Sequence, residues 1–255
     1  DHRYLHRCFI DDLDNYLPHF EHVLISGGEP LLYPKYLEEI VNKTTNFPNA
    51  KLGIHTSGQL IDKERAELFC SGVFGNVSIS IDGATAKTYE SIRTAASFEK
   101  VINSLKLITN YNQDDSLKLT LTFVVMRRNY REILDFIAIG KRYGVREIAF
   151  QPLRTQLWPE LESENILYDV DLCKEVLHIL KDVLSHCVEY GINLVDKVTP
   201  FIFNTYPELI KDSEALKYLP NYILETGIEK DIKERVRSLF LQTRPNPAAK
   251  KVIPK

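Results

Sequence analysis

The chain has 255 residues, of which 44% are hydrophobic and 26% charged, and its formal net charge is −3. That length fits one large domain or a domain with an appendage, and the composition is ordinary for a globular protein. The small net charge gives no electrostatic argument for nucleic acid or an anionic membrane, and no run approaches the roughly 18 apolar residues of a membrane span.

Phe9, Leu13, Tyr16 and Leu17 are spaced for one face of a helix over residues 8–17. Residues 22–26 read as a short buried strand running straight into Ser26-Gly27-Gly28-Glu29-Pro30. A helix is predicted over 36–45, ending at the turn signal Phe47-Pro48-Asn49, and a strand over 51–55. Asp62 is placed to cap a helix over 62–70. A strand over 76–81 ends at Asp82-Gly83, and a helix follows over 98–110. Residues 117–125 form a long strand rich in Leu, Thr, Phe and Val. Asn129 is placed to cap a helix running to Tyr143, with Gly144 just past its end. A strand over 146–150 ends at Gln151-Pro152. Then come a loop over 154–163 holding the only tryptophan, Trp158, and one long helix over 163–190 stopped by Gly191. Residues 200–223 are aromatic and irregular, 228–241 amphipathic, and 244–255 a mobile tail or linker.

This alternation predicts an α/β fold with parallel strands and right-handed crossovers, either a barrel or an open sheet. Residues 1–155 form the barrel domain in this reading, 156–243 a mostly helical extension that completes or covers it, and 244–255 the tail. In both architectures ligands meet the carboxyl ends of the strands. Those ends carry Gly27, Gly28 and Glu29, then Thr56, Ser57 and Gly58, then Ser80, Asp82 and Gly83, then Gln151 and Pro152. The glycines let a ligand approach the backbone, and Pro30 stiffens the chain after Glu29. Glu29 can accept hydrogen bonds from an ammonium group, while Ser80 and the planar fork of Arg93 can hold a carboxylate. Together they suit a free amino-acid end; singly, they read as a turn, a strand-end hydroxyl and a solvated charge.

Four motifs in order make the pattern specific. They are Gly27-Gly28-Glu29-Pro30 after a strand, His55-Thr56-Ser57-Gly58, Ser78-Ile79-Ser80-Ile81-Asp82-Gly83-Ala84 with Tyr89 and Arg93, and Phe123 to Asn129 with Phe150-Gln151-Pro152-Leu153. In these residues the chain resembles the radical S-adenosylmethionine (radical SAM) superfamily, in the branch that often carries a C-terminal SPASM or twitch domain. The resemblance runs over roughly residues 1–154. It implies a partial (β/α)6 barrel with parallel strands. Gly27, Gly28 and Glu29 would receive the methionine amino group of SAM, Ser80 and Arg93 would hold its carboxylate, and Pro30 and Asp82 would belong to the same cofactor-binding set. Thr56 and Ser57 would lie near the ligand, with Ser57 where the family more often has Asn, and Gln151 and Leu153 would border the adenosine. A [4Fe-4S] cluster in the family reduces SAM to a 5′-deoxyadenosyl radical, which takes a hydrogen atom from the substrate. The implied partners are a peptide or small-molecule substrate and an electron donor such as flavodoxin or ferredoxin, with no nucleic acid and no membrane.

The chain departs from the family in its cysteines. A Cys-x3-Cys-x2-Cys loop holds the family's cluster, and none is present among Cys8, Cys70, Cys173 and Cys187. Cys173 and Cys187 share one predicted helix about 21 Å apart, too far for one cluster. The predicted first helix has no strand before it, and Met126 is the only methionine. The expectation is therefore a first strand and cluster loop upstream of Asp1; the alternative is a cluster-less barrel acting as a binding or scaffold protein. A phosphate-binding barrel would need a Gly-rich loop opening a late helix, and none is seen. The scattered cysteines and the lack of a signal-peptide pattern point to the cytoplasm. His2 and His6 have metal-ligand spacing but no distant partner, His55 reads as a packing residue beside the cleft, and Arg127-Arg128 as a solvated strand end.

Overall fold

Six parallel strands lie side by side in the order in which the chain makes them. They are β1 (His22–Ile25), β2 (Lys51–Thr56), β3 (Phe74–Ser80), β4 (Lys118–Val125), β5 (Glu147–Pro152) and β6 (Asn193–Asp196). The computed structural model describes residues 10–156 and 159–209. Sequential order is the barrel arrangement; a doubly wound sheet would reverse its order at a switch point. The helices of the described residues are α1 (Leu13–Tyr16), α2 (Pro34–Thr44), α3 (Lys63–Phe69), α4 (Ala86–Ile92), α5 (Phe98–Tyr111), α6 (Ile133–Arg142), α7 (Val170–Tyr190) and α8 (Val198–Thr205). None is long and apolar enough to cross a membrane. The predicted segment 228–241, the tail, Trp158, Cys8, His2 and His6 lie outside the described residues.

The two faces of the sheet differ because strand side chains alternate. One face carries Leu52 and Ile54, Val77 and Ile79, Leu119, Leu121 and Phe123, Ile148 and Phe150, all buried under the helices. Phe123 sits 4.8 Å from Phe136 of α6 and 5.8 Å from Phe150 between ring centroids. The other face is polar. It can be traced from Gly53, which faces Asn76, through the Asn76 amide donating to Thr120 at 2.9 Å, to the Asn193 amide donating to Glu147 at 2.6 Å. Further along the strands it carries His55, Ser78, Ser80, Thr122 and Gln151.

Local chemistry sets the element ends. Asp62 caps α3 by accepting from the Arg65 amide at 2.9 Å, as its position predicts. Gly144 and Gly191 end α6 and α7 with φ of 63° and 66°, a region that favours glycine. The long helix starts later than the periodicity predicts: α7 begins at Val170 because Asp169 accepts from the amides of Asp171 and Leu172, and short 3-10 turns occupy 159–164 and 166–168. The sixth strand, α4 and α8 are elements the sequence reading does not contain.

Candidate functional site at the strand ends

Glu29 follows β1 and joins the first two strand ends. Its Oε1 accepts from the Thr56 hydroxyl at 2.8 Å and the Leu31 amide at 3.2 Å. Its Oε2 accepts from the Ser57 amide at 2.8 Å and from the Ser57 hydroxyl. A carboxylate has about four lone-pair positions, so neutral donors fix this one without cancelling its charge. Pro30 opens the 3-10 turn that brings Leu31 to it. Gly27, with φ 134°, has nothing within 4 Å of where a Cβ would sit, and neither does Gly28. The backbone beside Glu29 is therefore open to a ligand.

Ser80 ends β3, half-buried, and its hydroxyl has no hydrogen bond among the described residues. Two residues on, Asp82 is buried, and its carboxylate is engaged by protein groups. Arg93 Nε donates to Asp82 Oδ2 at 2.7 Å, with Nη2 of the same guanidinium also 2.7 Å from it. The Val124 amide donates to Asp82 Oδ1 at 2.8 Å. Asp82 thus supports Arg93 and ties β3 to β4, leaving the rest of the guanidinium to a ligand. Through Thr56 and Ser57 the Glu29 carboxylate sits at the end of β2, and Ser80 ends β3, the strand paired with β2. Gln151 is half-buried at the end of β5 and Leu153 is buried just beyond.

Three roles escape the sequence reading. Asn129 does not cap a helix; fully buried, its Oδ1 accepts from the Met126 amide at 2.7 Å while Nδ2 donates to the Asp82 carbonyl at 3.1 Å and the Val124 carbonyl at 2.9 Å. Glu132 accepts from the Ala84 amide at 2.7 Å and from the Thr85 amide and hydroxyl at 3.3 and 3.0 Å, pinning the start of α4. Arg127 and Arg128 are paired with Asp169 at 3.1 Å and Glu164 at 2.6 Å. No local pattern marks these partners, which lie tens of residues away. A cavity of about 740 Å³ lined by Gln59, Asp62, Arg65 and Asn103 lies over α3 and α5, in the helical layer.

The residues fit the amino-acid end of SAM: an open glycine backbone, a fixed carboxylate, a free hydroxyl and a guanidinium. They do not fit an iron–sulfur cluster. Burial pushes the Cys70 and Cys187 thiols up to about 11 and the Cys173 thiol up to about 12, with Asp114 and Asp169 adding to the shift of Cys70 and Cys173 respectively. Cys173 Sγ lies 3.3 Å from the Ile166 carbonyl, as a thiol donor. Cluster ligands must be thiolates. Among the described residues no three metal-binding side chains converge.

Comparison with known proteins bears on the family and the fold. The chain is 29% identical over 178 residues to mycofactocin maturase MftC of Mycobacterium ulcerans, which covers 67% of this chain and 47% of the relative. It is 29% identical over 126 residues to a probable GTP 3′,8-cyclase of Saccharolobus islandicus, covering 49% of this chain and 39% of that one. The chain spans about half the length, or less, of these curated relatives. In fold it is similar to Streptococcus suis SuiB bound to precursor peptide SuiA, with TM-score 0.62 at 17% identity over 78% of this chain and 44% of that one. It is also similar to anSMEcpe with bound AdoMet, with TM-score 0.57 at 15% identity over 76% of this chain and 55% of that one. Residues 10–140, about half of the chain, match the Radical SAM superfamily. The match begins beside α1 and ends in α6, so it contains Glu29, Ser80 and, at the end of α4, Arg93, and the chain belongs to the radical SAM superfamily, whose members use SAM together with a [4Fe-4S] cluster.

Proposed function

We propose that this chain is the SAM-binding barrel of a radical SAM enzyme whose substrate is a peptide. The observation that carries the reading is the Glu29 carboxylate, fixed by Thr56 and Ser57 beside an open Gly27-Gly28 backbone, with Ser80 at the end of the next strand and Arg93 held by Asp82. In this reading Glu29 receives the ammonium group, Ser80 and Arg93 hold the carboxylate, and Asp82 keeps the guanidinium in place. Gln151 and Leu153 border the adenosine. The two cofactors together supply hydrogen-atom abstraction from an unactivated position. The cluster thiolates are assigned to residues outside 10–156 and 159–209, and an electron donor of the flavodoxin or ferredoxin type is the expected redox partner. MftC is named as a maturase, and the SuiB neighbour is bound to a precursor peptide; both support a peptide substrate.

The test is anaerobic reconstitution of the full-length protein with iron and sulfide, followed by incubation with SAM and dithionite. The reading predicts 5′-deoxyadenosine and methionine in equal amounts. A protein that holds an intact cluster and binds SAM but forms neither product contradicts it and favours a scaffold.

A further inference from the structure

We propose that Gln59 is a positioning residue for the SAM cradle, setting where the Arg93 end of the clamp stands relative to the Glu29 end. The proposal rests on the reading above, in which Arg93 holds the SAM carboxylate, and it adds the residue that joins the two halves.

Both halves are tied to the stretch Thr56-Ser57-Gly58-Gln59 at the end of β2. Thr56 and Ser57 donate to the Glu29 carboxylate. Gln59 is bonded instead to the segment around Arg93. Its Oε1 accepts from the Ser97 amide at 2.8 Å, and its Nε2 donates to the Ser97 carbonyl at 3.0 Å. The second Nε2 proton goes to the Tyr89 hydroxyl at 3.1 Å. Tyr89 is fully buried in α4, and its carbonyl accepts from the Arg93 amide at 2.9 Å. The Gln59 main-chain amide donates back to the Ser57 hydroxyl at 3.4 Å. Hydrogen bonds and short main-chain steps therefore lead from Glu29 through Ser57 and Gln59 to both sides of Arg93.

The turn after Arg93 needs such a partner. Arg93 is the residue that ends α4, and α5 starts at Phe98, so Thr94 to Ser97 make the whole connection. Ala95 lies there with φ 65°, in the left-handed region. A residue with a Cβ is strained in that region and stays in it only where its surroundings fix it. Within the turn the Ala96 amide donates to the Arg93 carbonyl at 3.1 Å. Gln59 closes the turn from outside by engaging both main-chain groups of Ser97. The helices on either side have supports of their own. Glu132 holds the start of α4. Buried Ser104 of α5 donates to the Gly58 carbonyl at 2.6 Å, and the Phe98 amide donates to Glu90 at 2.9 Å. Removing the Gln59 side chain leaves α4 and α5 docked and frees the turn between them. Asp82 then holds the tip of the Arg93 side chain while the main chain that carries it can move, and a shift of about 1 Å in a binding group is enough to lose its ligand.

The test measures affinities for SAM and for 5′-methylthioadenosine, which lacks the amino-acid end. The proteins are full-length wild type, Gln59→Ala, Gln59→Met, Arg93→Ala and the Gln59→Ala, Arg93→Ala double variant. The preference for SAM should fall about fivefold or more in Gln59→Ala, while 5′-methylthioadenosine binds as in wild type. In the Arg93→Ala background the same substitution should change the preference by less than about twofold, because Gln59 acts through Arg93. Gln59→Met keeps the length of the side chain without its hydrogen bonds and should lower the preference in the same way, so the result does not depend on Gln59→Ala folding. A residue that only supports the fold would weaken both ligands together. That outcome, a preference unchanged in the Gln59 variants, or an undiminished effect of Gln59→Ala in the Arg93→Ala background overturns the proposal and leaves the cradle standing. A preference that survives Arg93→Ala overturns the cradle reading and the proposal with it.

Discussion

Arg93 meets the buried Asp82 carboxylate through two nitrogens, each at 2.7 Å, and the other Asp82 oxygen is held by the Val124 amide at 2.8 Å. The guanidinium proposed to hold SAM is therefore aimed by a carboxylate whose own position depends on β4. Asn129 completes the device by bonding the Asp82 and Val124 carbonyls. Asn129→Ala would leave three main-chain groups unsatisfied in the interior. We predict a loss of about 2–4 kcal/mol in urea unfolding, with SAM affinity falling as well. Stability unchanged within about 0.5 kcal/mol would contradict the role given to Asn129.

Gly27→Ala tests the open backbone beside Glu29. At φ 134° an L-residue is strained, yet no atom lies within 4 Å of the added methyl group. The cost to folding should be about 1–3 kcal/mol, all from backbone strain, and the thermal midpoint should fall accordingly. The methyl group also fills space that the ligand needs, so SAM binding should weaken by more than the stability loss explains. Retained SAM affinity would show that the ligand does not approach here.

His55 gives a pH dependence with a definite sign. Desolvation first, and Lys197 second, lower the His55 pKa. The folded ring thus takes up its proton less readily than the unfolded chain does. Above the ordinary value of 6.5 the ring is neutral in both states and contributes nothing to pH dependence; as pH falls through that value and down to the folded pKa, acid favours unfolding. Lys197→Ala removes one cause of the shift, so the His55 pKa measured by NMR should rise. A fall, or no change, would mean that the Lys197 charge does not act on the ring.

Half-buried Cys70 and buried Cys173 and Cys187 should be chemically silent. Their thiols are pushed up to about 11 to 12. Cys70, Cys173 and Cys187 should react slowly with a thiol reagent at pH 8 in the folded protein and at ordinary rates in denaturant. Replacing all three with Ala should leave the iron and sulfide content of the reconstituted full-length protein unchanged. Iron lost in proportion to these substitutions would reassign the cluster ligands.

Much of the barrel is legible in the sequence because most of its strands place apolar residues at alternate positions and end at turn residues. Val77 to Ile81 and Leu117 to Val125 announce themselves in this way, whereas β1, expected to be buried, is an edge strand with Leu24 exposed and Val23 and Ile25 half-buried. The sixth strand does not: Asn193–Asp196 is four residues long with polar residues at both ends, and it gains its place by pairing with β5. The start of α7 is hidden for another reason. The 163–190 pattern continues helical spacing through Asn165 and Asp169, whose side chains cap separate turns. At the site, Glu29 and Ser80 stand out as residue types near strand ends, and Arg93 by its place in the motif that follows Ser80. The support given by Asn129 to Asp82 spans 47 residues and leaves no local trace.

The central claim is a clamp for an amino-acid end, and the most direct measurement of it compares SAM with 5′-methylthioadenosine, which lacks that end. The ratio of the two affinities is to be measured for full-length wild type, Glu29→Gln and Arg93→Ala. The clamp predicts a wild-type preference for SAM of about tenfold to a hundredfold, from charged hydrogen bonds of about 1.5–3 kcal/mol. It predicts that the preference shrinks towards unity in both variants while 5′-methylthioadenosine binds as before. A preference that survives both substitutions unchanged would contradict the clamp.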